Sequence, residues 1–479
     1  MKFPEKGMKK DEIMKVLDSY KGGDLDWRTG KVFGYIYDPG EAAREVLNEA
    51  YTKYLTENAL DPLSYPSILR MENELVGMMA DLLRGDSNVV GNFTSGGTES
   101  IMMAVLSARN RARELRPEIK EPEMIVPFTA HAAFYKAAQY LGVKVVTIPV
   151  KDETFVADVD AMRAAINENT ILLVGSAPSY AHGVIDPIED IAKLAQEKNL
   201  LCHVDGCVGG IHLSFQRLLG MEVPNFDLSV PGVTSLSVDL HKYGYSAKNA
   251  SMILYKSKNV RRYQIFACAQ WPGYTVVNPT ASSSKTGGPV AAAWAMFHYM
   301  GIEGYKKVVS EVMTATKLLI DGINGIDGLK INGKPNMCMF SFHSTTDSFN
   351  VYKIADEMKI RGGWYIQPQF ARGNSKSNIH ISMSYMNVPM AAKMLDDLKE
   401  TVESLRKEAP EPAGPDFAAM VQGMELDDQT LTAMLDMVGM TEETQPERME
   451  PINKILESLP SDLTEFILKA YFNSISKAG

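Results

Sequence analysis

The sequence predicts an α/β protein, with a mostly parallel central sheet in a large domain and a smaller α+β domain after it. Two observations predict this. Through the middle of the chain, short apolar runs rich in β-branched residues alternate with stretches of helical periodicity, the pattern of a parallel sheet covered on both faces. After about residue 300 the texture changes to longer helices separated by brief strands. The composition agrees: 45% of the 479 residues are hydrophobic and 23% charged, which excludes a disordered, collagenous or coiled-coil chain.

The elements follow in order. Residues 1–60 read as helical and extended segments without a sheet of their own. The large domain is expected over 61–300, with strands at 124–128, 143–150, 171–174, 200–204, 235–240 and 251–255. Ile101, Ala104, Val105 and Ala108 fall at i, i+3, i+4 and i+7 and give one helix an apolar face; Ile188, Ile191, Ala192 and Ala195 do the same for another. That second helix has Asp186 as its expected N-cap, Pro187 in the first turn and Glu189 three residues after the cap. The small domain, 301–408, is expected to hold helices at 306–323, 351–361 and 389–406 and strands at 328–331, 337–341 and 379–384. A joint, Ala409-Pro410-Glu411-Pro412-Ala413-Gly414-Pro415, then fixes φ at its prolines and disfavours helix before them. It opens a linker and acidic helical tail over 409–479.

With 49 basic and 59 acidic residues the net charge is −10, and from Phe417 onward 11 acids face 4 bases, so the tail carries −7 of it. This balance disfavours a nucleic-acid partner, whose affinity comes mainly from Lys and Arg on phosphates. Met1 to Lys10 is polar, and no run approaches about 18 apolar residues, so neither a secretory signal nor a membrane span is expected. Four cysteines in so long a chain make no disulfide framework, and a cytoplasmic protein is expected.

Three features carry chemistry. His203-Val204-Asp205 ends a strand, at the edge where open α/β sheets bind ligands. An acid there is costly to bury unless paired, and a protonated ring nitrogen is one such partner. Ser237 to Tyr245 places Lys242 after a second strand and before an aromatic, Gly-containing turn. A lysine held in a largely apolar site has a lowered pKa and becomes nucleophilic, which suits imine formation with an aldehyde. Thr94-Ser95-Gly96-Gly97-Thr98-Glu99-Ser100 precedes a helix and suits an anion at its N-terminus, without the phosphate-loop pattern of nucleotide sites. A phosphate on the turn, an aldehyde at Lys242 and a pyridine nitrogen facing Asp205 together imply one cofactor, pyridoxal 5′-phosphate (PLP).

Asp205 lies 37 residues before Lys242, and the stretches 94–100, 203–210 and 241–244 occur in that order. With Thr129 to Phe134, Gly175 to Pro187 and Asn278 to Gly288, this resembles the group II PLP-dependent decarboxylases on the aspartate-aminotransferase fold (fold type I), and most of all the sphingosine-1-phosphate lyases, from about Gly30 to about Arg406. The resemblance implies roles. Lys242 would hold PLP as the internal aldimine, Asp205 would keep the ring nitrogen protonated, and His131 would stack on the ring. Gly97 and Thr98 would bind the cofactor phosphate beside His241, and Ser284 would reach the phosphate of the neighbouring subunit's PLP in a homodimer with shared sites. Tyr180 and His182 would line the substrate side.

Lyases of that type bind the substrate phosphate with a Tyr, a His and a Lys. The resemblance assigns Tyr37 and Lys248 to two of these, and puts Asp61 where the family usually has the His. An ionised Asp about 4 Å from a phosphate costs about 4 kcal/mol per unit charge at an effective dielectric near 20. The departure leaves two cleavages open: retro-aldol scission of Cα–Cβ in a phosphorylated amino alcohol, giving an aldehyde and an amine, or α-decarboxylation of an amino acid. An aminotransferase, with Arg361 or Arg372 for a substrate carboxylate, is a third expectation.

Overall fold

The computed structural model describes residues 2–61, 63–408 and 447–476. The Pro-rich joint and much of the acidic tail lie outside the described residues. The chain forms two compact units, one of 33–343 and 380–392, the other of the described residues in 1–32, 344–379 and 393–479. Residues 33–60 and 301–343, expected in other domains, cluster with the large unit.

The large unit is built on seven strands: β1 (Val90–Thr94), β2 (Glu123–Pro127), β3 (Lys144–Ile148), β4 (Thr170–Ser176), β5 (Leu201–Asp205), β6 (Ser235–Asp239) and β7 (Ser251–Tyr255). Their spatial order is β1-β7-β6-β5-β4-β2-β3. The pairs from β6 through β3 are parallel, and β7 runs antiparallel to both β1 and β6. The carboxyl ends of β1, β6, β5 and β4 therefore share one edge of the sheet. The strand β1 escaped the sequence pattern because Gly91 and Asn92 interrupt its apolar run. Gly91 is required there: a Cβ would lie 2.6 Å from Leu254 Cδ2 and 2.7 Å from Ile253 O on β7.

The helix Gly97–Leu115 buries Ile101, Ala104, Val105 and Ala108, as its spacing predicts, and Ile188–Glu197 buries Ile188, Ile191, Ala192 and Ala195. Each such Ile or Val stabilises the fold by roughly 1.5–3 kcal/mol. Asp186 does not cap the second helix. Its carboxylate accepts the N–H groups of Ala157 (2.9 Å) and Ser176 (2.8 Å), and burial pushes its pKa up to about 6. The helix expected at 306–323 is the second half of a longer one, Gly288–Asn324, broken at Gly301 where φ is +53°. Leu329–Ile331, Met339–Ser344 and Asn378–Ser382 are successive neighbours in a smaller sheet.

In the second unit Asn350 caps the helix Val351–Gly362 by accepting the Lys353 N–H at 2.9 Å. Asp356 on that helix accepts the N–H groups of Met449 (3.0 Å) and Glu450 (2.8 Å), and so starts the helix Glu450–Ser458. Leu459 and Ile467 close a small core between that helix and Ser461–Ile475. Among the described residues no helix is long and apolar enough to cross a membrane.

Candidate active site

Register brings the strand ends together. Ser176 pairs with Asp205 and Asp205 with Ser237, while Thr94 and Asp239 both pair with Ser251 across β7. The hydroxyl of Ser100, on the first turn of Gly97–Leu115, lies 2.6 Å from Thr94 Oγ1 and 2.8 Å from Ser251 Oγ, which locks the helix N-terminus to the sheet edge. Gly97 permits the close approach: a Cβ would stand 2.8 Å from Cys207 Sγ and 2.9 Å from both Asp239 oxygens.

A cavity of about 390 Å³ opens at this edge. Eight of the residues singled out from the sequence line it: Gly97, Thr98, His131, Tyr180, Asp205, His241, Lys242 and Lys248. Asp205 is 8% exposed, and its Oδ1 accepts from Cys207 N–H (3.1 Å) and Ser237 Oγ (3.3 Å). Its Oδ2 makes no hydrogen bond among the described residues and is left for a ligand. Behind it, His203 Nε2 lies 3.3 Å from Ser237 Oγ, and burial lowers the His203 pKa to about 4, so this imidazole is neutral. His131 Nδ1 accepts the Ala133 N–H at 3.1 Å, which fixes the proton on Nε2. His241 Nδ1 sits 2.7 Å from Ala250 O. Tyr180 stacks on His380 with ring centroids 4.2 Å apart and presents an edge to His131 at 6.4 Å.

Lys242 is not in an apolar setting. Burial alone would lower its pKa, but the carboxylate of Asp239, 2.9 Å from Nζ, reverses this and raises it. The expectation of a lowered pKa is corrected by an acid that lay inside the quoted motif without a role. The signal was present, since Asp239 ends a strand as Asp205 does.

Tyr37 stands beside the cavity. Its ring is edge-on to Tyr243 at 4.9 Å, and the Lys248 ammonium lies 5.3 Å above it while donating to Tyr35 O at 2.7 Å. Burial raises the Tyr37 pKa, although Lys242 lowers it, so the phenol stays protonated at neutral pH. Tyr37 and three other expected residues do not line the cavity. His182 is 1% exposed and lies flat on Phe155 at 4.1 Å. Burial lowers its pKa to about 4. Asp61 folds back on its own loop, accepting from Leu63 N–H (2.9 Å) and Ser64 Oγ (2.7 Å). Ser284 is exposed.

Residues 23–345 match the model of the pyridoxal-dependent decarboxylase conserved domain. The chain belongs to the pyridoxal-dependent decarboxylase family. Residues 399–474 match a C-terminal putative HTH domain of pyridoxal-dependent enzymes. Sphingosine-1-phosphate lyase from Dictyostelium discoideum is 39% identical over 405 residues, which cover 84% of this chain and 74% of that protein. The solved sphingosine-1-phosphate lyase of Burkholderia pseudomallei superposes with a TM-score of 0.81 at 33% identity, covering 91% of this chain and 96% of the other. A probable L-aspartate decarboxylase of Pyrococcus abyssi is 31% identical over 84% of this chain and 100% of its own length. The chain is a PLP-dependent lyase of fold type I, similar to sphingosine-1-phosphate lyases, and its cofactor is pyridoxal 5′-phosphate.

The cavity of this decarboxylase-family enzyme fits that cofactor. It offers an unpartnered carboxylate oxygen on Asp205 for a protonated ring nitrogen, an amine on Lys242 for an aldehyde, and a helix N-terminus at Gly97 and Thr98 for a phosphate.

Proposed function

We propose that this lyase cleaves the Cα–Cβ bond of a phosphorylated amino alcohol to give an aldehyde and a phosphorylated amine. The observation that carries the proposal is the Lys248 ammonium, held over Tyr37 in a cavity that Lys242 also lines. A cation there suits an anionic group on the substrate. Bound PLP supplies the sink for the electron pair left at Cα when the bond breaks. Asp205 would hold the ring nitrogen protonated and His131 would cover one ring face. Gly97, Thr98 and His241 would hold the cofactor phosphate. Tyr37 and Tyr180 are phenols whose pKa values burial raises, so they serve as donors to substrate oxygens, not as standing bases. The balance is simple: the β-hydroxyl loses its proton, Cα gains one, and no redox partner is needed.

The proposal includes a homodimer with a cytoplasmic home. Ala59 N–H donates to Lys285 O at 2.7 Å and Asn58 bridges to Thr286, so the loop of Asp61 is tied to the loop of Ser284. If Ser284 reaches the neighbouring subunit's site, Asp61 travels with it. The exposed side chains of Leu63, Phe266, Trp271 and Tyr274 support such a contact, and the four unpaired cysteines support a reducing compartment. Asp61→His is then expected to lower KM for phosphorylated substrates; an unchanged KM places that loop away from both sites.

α-Decarboxylation is the second reading, favoured by the archaeal relative matched along its full length. Neither Arg361, paired with Glu357 at 2.7 Å, nor Arg372, donating to Glu457 O at 3.1 Å, lines the cavity, so neither gives a transaminase reading support. Incubating the holoenzyme with phosphorylated amino alcohols and with amino acids separates the cases: aldehyde release supports the proposal, and carbon dioxide release from an amino acid without aldehyde refutes it. Lys248→Met is expected to raise KM for a phosphorylated substrate about 10- to 100-fold, the value of a charge-assisted hydrogen bond, with a smaller effect on kcat.

A further inference from the structure

Asp239 ends β6 at 3% exposure, with Oδ2 2.9 Å from Lys242 Nζ and 3.7 Å from His241 Nε2. Among the described residues its Oδ1 has no hydrogen-bond partner, and Lys242 and His241 are the cations beside this buried carboxylate. Among the described residues neither of the other cavity acids forms an ion pair with Lys242. Asp205 accepts from Cys207 N–H and Ser237, and Glu99 accepts from the N–H groups of Ser95 (2.6 Å) and Ala281 (2.8 Å). Cys207 and Tyr37 also face Lys242, but burial holds both in their neutral forms. Tyr180 does the same from the segment after β4. Lys248 adds a second cation nearby, which disfavours charge on Lys242. Asp239 is thus the anion that decides the charge of this nitrogen.

We propose that Asp239 is a positioning residue that holds the Lys242 nitrogen in its cationic form, so that Lys242 acts as a proton donor once it is freed from the cofactor. The inference rests on Lys242 being the tether. In the donor step an N–H bond of the ammonium breaks and a C–H bond forms with the electron pair at Cα. Lys242 is left neutral, the form able to recapture an aldehyde, and Asp239 remains a carboxylate throughout.

The test uses the full chain loaded with PLP. Borohydride first fixes the cofactor, and peptide analysis identifies the residue that carries it. The yellow chromophore is then titrated with alkali. The wild-type colour should persist well into alkaline pH, and Asp239→Asn should lower the bleaching midpoint by about 1–3 units, the shift expected on losing an opposite charge within a few ångströms. Asp239→Glu should restore part of the shift, which a purely structural role would not do. Equal midpoints in wild type and Asp239→Asn overturn the proposal. Should that variant not fold, the wild type alone decides: a midpoint matching the imine of PLP with free lysine overturns it. Fixation on a residue other than Lys242, or no chromophore at all, removes the tether assignment and this inference with it. Fixation on Lys242 with an unmoved midpoint removes the inference alone.

Discussion

Lys242→Ala should lose turnover and colour together. The amine lines the cavity, 2.9 Å from Asp239, at the edge where four strand ends meet. On the proposed roles, alanine would remove both the imine tether and the group that handles the proton. Acid–base work of that kind contributes about 10²–10⁴-fold by itself, so activity should fall by at least that factor. Lys242→Arg should fare no better, because a guanidinium stays protonated and forms no imine. Stability should move differently. Lys242→Ala leaves Asp239 buried and short of its nearest cation, which costs about 3–5 kcal/mol when a buried pair is broken. Removing both, as Lys242→Ala with Asp239→Asn, should recover much of that loss. Steady-state kinetics, absorbance and thermal melts of the three variants check these outcomes; a colourless Lys242→Ala protein with normal turnover sinks the assignment.

The second large effect is expected from Asp205→Asn. The substitution nearly preserves shape, and the Cys207 N–H and Ser237 Oγ can still donate to the amide oxygen. What it removes is the negative charge facing the cavity. His203 behind it is held neutral by burial and in no protonation state supplies a negative charge. A nearby opposite charge shifts a titration by about 1–3 units, and one unit is about 1.4 kcal/mol. The kcat should therefore drop on the order of 10²–10³-fold, the scale of losing one preorganised electrostatic contact. The melting temperature should change little and PLP should still be fixed by borohydride on Lys242. Full activity in Asp205→Asn would mean that no ring nitrogen needs that carboxylate.

Much of the fold is local in origin and was therefore readable along the chain. The strands from Glu123–Pro127 to Ser251–Tyr255 are short apolar runs, and the helix faces at Ile101 and Ile188 follow simple periodicity. Where a tertiary demand overrode the local pattern, the reading missed. Val90–Thr94 needs a glycine against the strand beside it, and Asp186 binds two backbone N–H groups from other segments instead of capping the helix that follows it.

The sequence by itself determined the cofactor chemistry, because Asp205 and Lys242 follow strands that it shows, the Gly97 turn opens a helix that it shows, and strand ends converge on one edge of a parallel sheet. Tertiary structure alone decided what surrounds them. Asp239 acquires its importance only when the turn after its strand brings the Lys242 ammonium to its carboxylate, and Lys248 only when Tyr35 and Tyr37 fold beneath its ammonium. His182, two residues from Tyr180, is buried against Phe155 and does not line the cavity. Asp61 and Ser284 share a place because distant loops are hydrogen-bonded. Such pairings depend on side-chain direction and long-range closure, which one-dimensional spacing does not encode.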